Sequence, residues 1–200
     1  MNKKQIERYF KILDKIYGKK CKVILTGAAA GALYANVRAT RDIDFSVEAT
    51  DWEGFSKAAQ EASLRVGIEV QYAQDIDRWS SITLMDYKKH TFVYKRLGNI
   101  EIRLMEPPYW AIGKLSRYLD QDISDLVKVF KKTGTRWQKV AAVSGQALRK
   151  SPQSTTCFLF RKQVEDFFKQ FGRKIWGRTF DENKARTLFH QEAGIKNRML

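Results

Sequence analysis

Asp42 and Asp44 are separated by a single residue in the stretch Asp42-Ile43-Asp44-Phe45-Ser46-Val47, where polar and apolar side chains alternate. A period of two is that of a β-strand with one face on a core, so both carboxylates share one face while Ile43 turns inward. Two acids held side by side repel unless a cation neutralises them, and hard oxygen ligands of this kind suit Mg2+ or Mn2+. A solvated sheet face carries the same tripeptide, so the spacing by itself leaves both readings open. Upstream, Gly27 lies where the short β-rich run from Lys22 to Thr26 passes into an alanine-rich helical stretch. The first amides of a helix starting there lack intrahelical partners and form an anion cradle, although a tight strand-to-helix turn without a ligand uses the same glycine. Thr26, Gly27 and Ala28 are candidate phosphate-binding positions, and Arg38, Thr40 and Arg41 add cationic and hydroxyl groups ahead of the acidic strand. Together these residues match a site that holds a triphosphate near two metal ions.

The elements that must position these groups can be read from periodicity. Ile6, Tyr9, Phe10, Leu13, Ile16 and Tyr17 recur at helical spacing before Gly18, predicting an opening amphipathic helix. Asp51 is the expected cap of a helix that ends near Arg65 and Gly67. The pattern then predicts strands at 68–72, 81–85, 91–95 and 100–104 as an antiparallel extension of the sheet, with turns at Lys88-Lys89 and Gly98-Asn99. Pro107-Pro108 opens a helical region with Ile112, Leu115, Tyr118 and Leu119 as its apolar stripe, and a second helix runs from Asp122 to about Lys132. Helical spacing continues over 136–149, 158–171 and 182–191, interrupted at Ser151-Pro152 and Gly172. The expected fold class is α+β: a mixed β-sheet core flanked by helices over 1–106, then a helical region over 107–200.

The chain has 200 residues, with 37 Lys and Arg against 22 Asp and Glu, a formal charge of +15. Up to Phe130 there are 21 basic and 17 acidic residues; from Lys131 onward there are 16 and 5. A polyanion is the simplest partner for such a basic end, since each neutralised phosphate releases condensed counterions. Aromatic rings are interleaved with these cations, but Phe160, Val164, Phe167, Phe168 and Phe171 recur at helical spacing and are expected in a core, leaving nucleic acid to the cations. A hydrophobic content of 44% excludes a disordered polybasic chain. No run of about 18 uncharged apolar residues occurs and the chain does not open on an apolar leader, so a cytoplasmic protein without a membrane partner is expected. Two cysteines, Cys21 and Cys157, supply neither a disulfide framework nor a zinc site. Cys157, His90 and His190 are expected to pack rather than react.

The run Thr26-Gly27-Ala28-Ala29-Ala30-Gly31-Ala32-Leu33-Tyr34, followed by Arg38-Ala39-Thr40-Arg41-Asp42-Ile43-Asp44, resembles the signature of minimal polymerase β-like nucleotidyltransferases. More narrowly, the second run is similar to the form seen in the AbiEii-type and MenT-type toxins of bacterial type IV toxin–antitoxin systems. Lys114-Leu115-Ser116-Arg117 and then Asp122-Ile123-Ser124-Asp125-Leu126 resemble the helical element that follows the catalytic sheet in those proteins. The two motifs span about Val23 to Val129, and the basic end beyond matches no motif of the family.

The resemblance implies a nucleotidyltransferase core over 1–106, a segment 107–132 that completes the active site, and a basic, nucleic-acid-binding segment 133–200. Gly27 and the amides after it would hold the phosphates of a nucleoside triphosphate, and Asp42 and Asp44 would bind two divalent ions in an in-line transfer. The family's third carboxylate comes from a neighbouring strand, for which Glu101 in Ile100-Glu101-Ile102 is the candidate, with Glu69 and Asp77 as competitors. Lys114 would reach the triphosphate, and Asp122 or Asp125 would orient it or cap its helix; ordinary helix salt bridging is an even alternative for them. Ala28 stands where the family commonly has Ser or Gly, and Glu101 where it has Asp. The implied function is transfer of a nucleoside monophosphate to a hydroxyl of RNA, tRNA first, by a toxin with an antitoxin protein as possible partner. The alternative is a catalytically inactive, nucleic-acid-binding descendant of the fold. A small cationic acceptor such as an aminoglycoside is disfavoured by the basic end.

Overall fold

The computed structural model describes residues 2–35, 37, 41–76, 82–84 and 86–195. Arg38 and Thr40, named above as candidate phosphate contacts, lie outside the described residues, as does Asp77. The elements in chain order are α1 (Lys3–Tyr17), β1 (Cys21–Leu25), α2 (Gly27–Ala35), β2 (Asp42–Ala49), α3 (Trp52–Val66), β3 (Glu69–Ala73), β4 (Thr91–Leu97), β5 (Ile100–Met105), α4 (Pro107–Arg117), α5 (Asp120–Thr133), α6 (Trp137–Lys150), α7 (Thr155–Trp176) and α8 (Glu182–Ala193). The protein is α+β, with helices flanking a five-stranded mixed sheet, and it divides into two compact units, Met1–Ile76 with Lys88–Glu106 and Asp77–Tyr87 with Pro107–Leu200.

The first unit holds the sheet, in the order β3-β2-β1-β5-β4. Helix α1 starts on an Asn2 capping box and stops at Gly18, and α3 runs from its Asp51 cap to Gly67. One face of the sheet packs on these two helices. Phe45 of β2 lies among Tyr9 and Phe10 of α1, Phe55 of α3 and Tyr72 of β3, all at ring-centroid distances of 5.5 to 6.4 Å. Ile43 and Val47 alternate with the polar positions of β2 and are buried on this same side.

The pairing differs from an antiparallel extension. β3 runs parallel to β2, with α3 as the crossover, and β5 runs parallel to β1; only β1–β2 and β4–β5 are antiparallel. The strand expected at 81–85 does not form at its described positions. Ile82 and Leu84 are buried, but Thr83 donates its amide to Ser151 Oγ at 2.8 Å, so their alternation is satisfied within the helical unit instead of by a ladder.

The second unit is built from α4 to α8. Its centre is aromatic: of the residues expected in a core, Phe160, Val164, Phe167 and Phe168 are buried and Phe171 is only half-buried, while Phe130, Phe180 and Phe189 join them from other elements. Gly172 does not interrupt α7. A Cβ there would lie 2.0 Å from Cε1 of Phe180, and that ring stacks on Phe168 and Trp176. The missing side chain is thus a packing requirement, not a stop signal. Gly172→Ala is expected to cost about 1–3 kcal/mol through overpacking, measured by denaturant unfolding; an unchanged midpoint would show that Phe180 yields without penalty.

Candidate functional site

The acidic pair sits where strand period and register both place it. Asp42 and Asp44 are half-buried on the face of β2 opposite Ile43 and Phe45. Antiparallel pairing brings the start of β2 beside the end of β1, and the Thr26 amide donates to the Asp44 carbonyl at 2.8 Å. The chain then turns into α2 at Gly27, whose φ is +56°, a backbone region that glycine enters without strain. A Cβ at Gly27 would lie 2.3 Å from Asp44 Oδ2. The carboxylate of Asp44 is therefore seated directly against the first residue of α2, and a side chain there would displace it. Thr26 and Ala28 are buried beside this turn, and Arg41 is exposed immediately before Asp42.

Glu101 is not brought to this pair. It is level with Lys22, which is level in turn with Glu48, four residues along β2 from Asp44. That displacement is roughly 13 Å along the strands. Glu101 lies on the correct face but at the other end of the sheet. There it accepts from Arg103 Nη1 and Arg96 Nη2, each at 2.7 Å, and these two guanidinium groups hold its carboxyl below the usual range. Continuing the ladder by one residue, β5 presents Met105 at the level of Asp44. The acid that register does set beside Asp42 is Glu69, its exposed partner on β3. No group of three His, Cys, Asp or Glu positioned to hold a metal ion occurs among the described residues.

Lys114, Asp122 and Asp125 belong to the helical unit and are brought together there. The Lys114 ammonium donates to Asp122 Oδ1 at 2.8 Å and to Asp125 Oδ2 at 2.7 Å, and lies 5.6 Å from the Trp110 ring centroid. Lys114 is 2% exposed and both aspartates 1%. Arg117 adds a second cation, donating through Nε and Nη2 to Asp122 at 3.1 and 2.9 Å. Burial alone would raise the Asp122 carboxyl, but Arg117 and Lys114 outweigh it and leave that carboxyl below its ordinary value. The cluster is a charge-balanced salt-bridge network between α4 and α5, as the alternative reading of these residues expects, except that it is buried, and Lys114 donates to both aspartates. Arg117 was part of the motif but carried no role, because its reach across the α4–α5 junction is not a helical spacing.

His190 has a partner that the sequence did not disclose. Its Nε2 lies 2.6 Å from Glu165 Oε1 across α7 and α8, and Arg161 donates to the same oxygen at 2.8 Å. Burial pushes the Glu165 carboxyl up, yet Arg161 and His190 together hold it down. Cys21 is buried, with its thiol pushed up to about 12 by desolvation, and Cys157 is buried as expected. No helix among the described residues is long and apolar enough to cross a membrane.

The chain matches no protein-family model, no curated protein and no solved structure.

Gly27→Ala combines a left-handed backbone with a clash against Asp44, so a loss of about 2–4 kcal/mol is expected; unfolding as in the wild type would mean that the turn relaxes freely. Lys114→Met leaves two buried carboxylates short of a counter-charge and is expected to cost about 3–5 kcal/mol. The depressed Asp122 carboxyl contributes stability that is complete above its unfolded value, near pH 4, and is lost as pH falls toward its lower folded value. A midpoint-against-pH series below pH 4 should therefore fall less steeply for Asp122→Asn than for the wild type.

Proposed function

We propose that this protein is a metal-dependent nucleotidyltransferase that moves a nucleoside monophosphate from a nucleoside triphosphate to a hydroxyl of RNA, with tRNA the first acceptor to test. The observation that carries this reading is the Asp44 carboxylate seated against Gly27 at the start of α2, with Asp42 on the same face of β2. Mg2+ is commonly held by one or two carboxylates together with substrate phosphates and waters, so two aspartates beside a phosphate cradle fit such an ion without a third acid. When bound, the ion would lower the pKa of the attacking hydroxyl and neutralise charge on the leaving group.

The chain's own groups supply the rest. The amides at the start of α2 would donate to phosphate oxygens, favoured by the positive end of the helix dipole. Asp42 and Asp44 would fix the ion, and the aromatic backing of β2 would keep both carboxylates in place. The acceptor oxygen bonds to the α-phosphorus, the bond to the β-phosphate oxygen breaks, pyrophosphate leaves with the electron pair, and the hydroxyl proton passes to solvent. Lys114, Asp122 and Asp125 act as positioning residues that lock α4 to α5, and the cations of 133–200 would grip the acceptor. The resemblance to AbiEii-type and MenT-type toxins extends the proposal to a cytoplasmic toxin neutralised by a partner protein.

A specific observation favours a second reading, a nucleic-acid-binding protein that has kept the fold without turnover: the buried Lys114 is committed to two aspartates, and no three-ligand cluster occurs among the described residues. Incubating the protein with each labelled nucleoside triphosphate, Mg2+ and total RNA separates the two. Label on a defined RNA band, lost in Asp44→Ala and kept in Glu101→Gln, is the expected result. No label with any of the four triphosphates, alongside intact RNA binding, would establish the binding protein.

A further inference from the structure

We infer that the exposed stripe of α1, together with the adjoining β4–β5 turn, is a second polyanion-binding surface that grips the phosphate backbone of structured RNA. Lys4, Arg8, Lys11 and Lys15 follow one another at steps of four, three and four residues, and all four are exposed. They form one row on the side of α1 directly opposite the buried Ile6, Tyr9, Phe10, Leu13 and Tyr17. At the rise of an α-helix, neighbouring charges in the row are roughly 5–6 Å apart along the axis. That is a comb of cations suited to successive phosphates.

The row is costly to the isolated helix. Each neighbouring pair is like-charged at a spacing where side chains meet, and like charges there destabilise a helix. The first turn contains no acidic residue, so Lys4 also opposes the helix dipole. Solvated helix faces normally offset such charges with acids, yet Lys4, Arg8, Lys11, Lys15 and nearby Lys20 form no ion pair among the described residues. A bound polyanion removes both penalties.

The surface has depth as well as charge. A hollow of about 450 Å³ lies between α1 and the β4–β5 turn, bordered by Arg8, Lys11, Lys15 and Arg96. It adjoins a second of about 560 Å³ that reaches Lys20 and Lys22 and shares Arg96 and Gly98 with the first. Three acids border these hollows: Asp14 accepts the Asn99 amide at 2.7 Å, Glu101 accepts from Arg96 and Arg103, and Glu48 pairs with Lys22 and Lys88, so Arg96 and Lys22 are offset locally and the uncompensated cations are those of the α1 row and Lys20. None of the large exposed apolar residues, Leu64, Phe92, Val93, Leu119, Phe158 and Leu159, belongs to the row or to the lining of either hollow. The row and the rims of the hollows thus offer a protein partner no large exposed apolar side chain, and without an exposed ring along the row no base is stacked. The contacts are to backbone phosphate and insensitive to sequence.

The test uses the full chain and two matched double variants that each remove two positive charges, Lys11→Gln/Lys15→Gln on the row and Lys57→Gln/Arg65→Gln on α3, where both cations are already paired with glutamates. The probe is a short fluorescein-labelled RNA duplex titrated at several salt concentrations. With about 0.9 counterion released per phosphate contact, the row variant should lower the log–log salt slope by about 2 and weaken binding on the order of tenfold at physiological salt. The α3 variant should bind as the wild type does, and the titration contains neither nucleoside triphosphate nor Mg2+, so the result is independent of nucleotidyl transfer. Equal effects from the two double variants would overturn the inference, as would tighter binding of a poly-glutamate probe than of the duplex. Unfolding midpoints identify any variant that has lost its fold, and Arg8→Gln alone, expected to lower the slope by about 1, then decides the matter.

Discussion

Burial of the Phe45 ring is the constraint on which the first unit depends. Tyr9, Phe10, Phe55 and Tyr72 enclose it, and it is fully buried. Because a strand alternates strictly, fixing Phe45 on the helix side assigns every other residue of β2 to a face, and Asp42 and Asp44 fall together on the opposite one. A well-packed buried Phe is worth several kcal/mol. The repulsion between two half-exposed carboxylates is on the order of 1 kcal/mol in water-like surroundings. The core term is the larger, so the sheet tolerates an acidic pair that its local electrostatics would not select. The geometry of the acids is inherited from apolar packing on the far side of the strand.

The helical unit uses a different device at the junction of its first two helices. Lys114 on α4 and Asp122 and Asp125 on α5 form a buried network that Arg117 closes, and removing one member would strand the opposite charge in a poorly solvated interior. Packing alone tolerates small shifts between two helices; paired charges with hydrogen-bond geometry tolerate far fewer. The network thus contributes less to the depth of the energy well than to its narrowness. That makes it a device for holding the α4–α5 angle, with the Lys114 ammonium buried between its two partners.

Periodicity disclosed faces and elements, and failed wherever the answer lay in register or in long-range burial. The alternation around Asp42 and Asp44, the caps at Gly18, Asp51 and Gly67, and the aromatic spacing of α7 all state their structural meaning locally. Glu101 is the instructive failure: its apolar neighbours correctly give the face, but face is a period-two property, whereas its height on the sheet is set by pairing with Lys22, and no local pattern carries that. The strand expected at 81–85 fails for a related reason, since Ile82 and Leu84 alternate to fill a helical core. Gly172 reads as a breaker because a sequence does not show Phe180 arriving from beyond the helix end. For Lys114, the pairing could be guessed from spacing but its burial could not.

The overall charge bears on how the acidic pair would work under the proposed reading. A chain with a net charge of +15 repels free divalent cations and attracts polyanions at long range. Two half-buried aspartates are a weak site for a bare ion in such a field, and among the described residues no group of three such ligands is positioned to hold one. A triphosphate that brings its own ion is in the opposite position: the complex is net negative, so the same field draws it in, and its phosphate oxygens complete the coordination that the protein leaves open. Under that reading the sparse carboxylate set and the basic surface would be parts of one arrangement, in which ion affinity would depend on the nucleotide and an acceptor RNA would be gathered by the same positive potential.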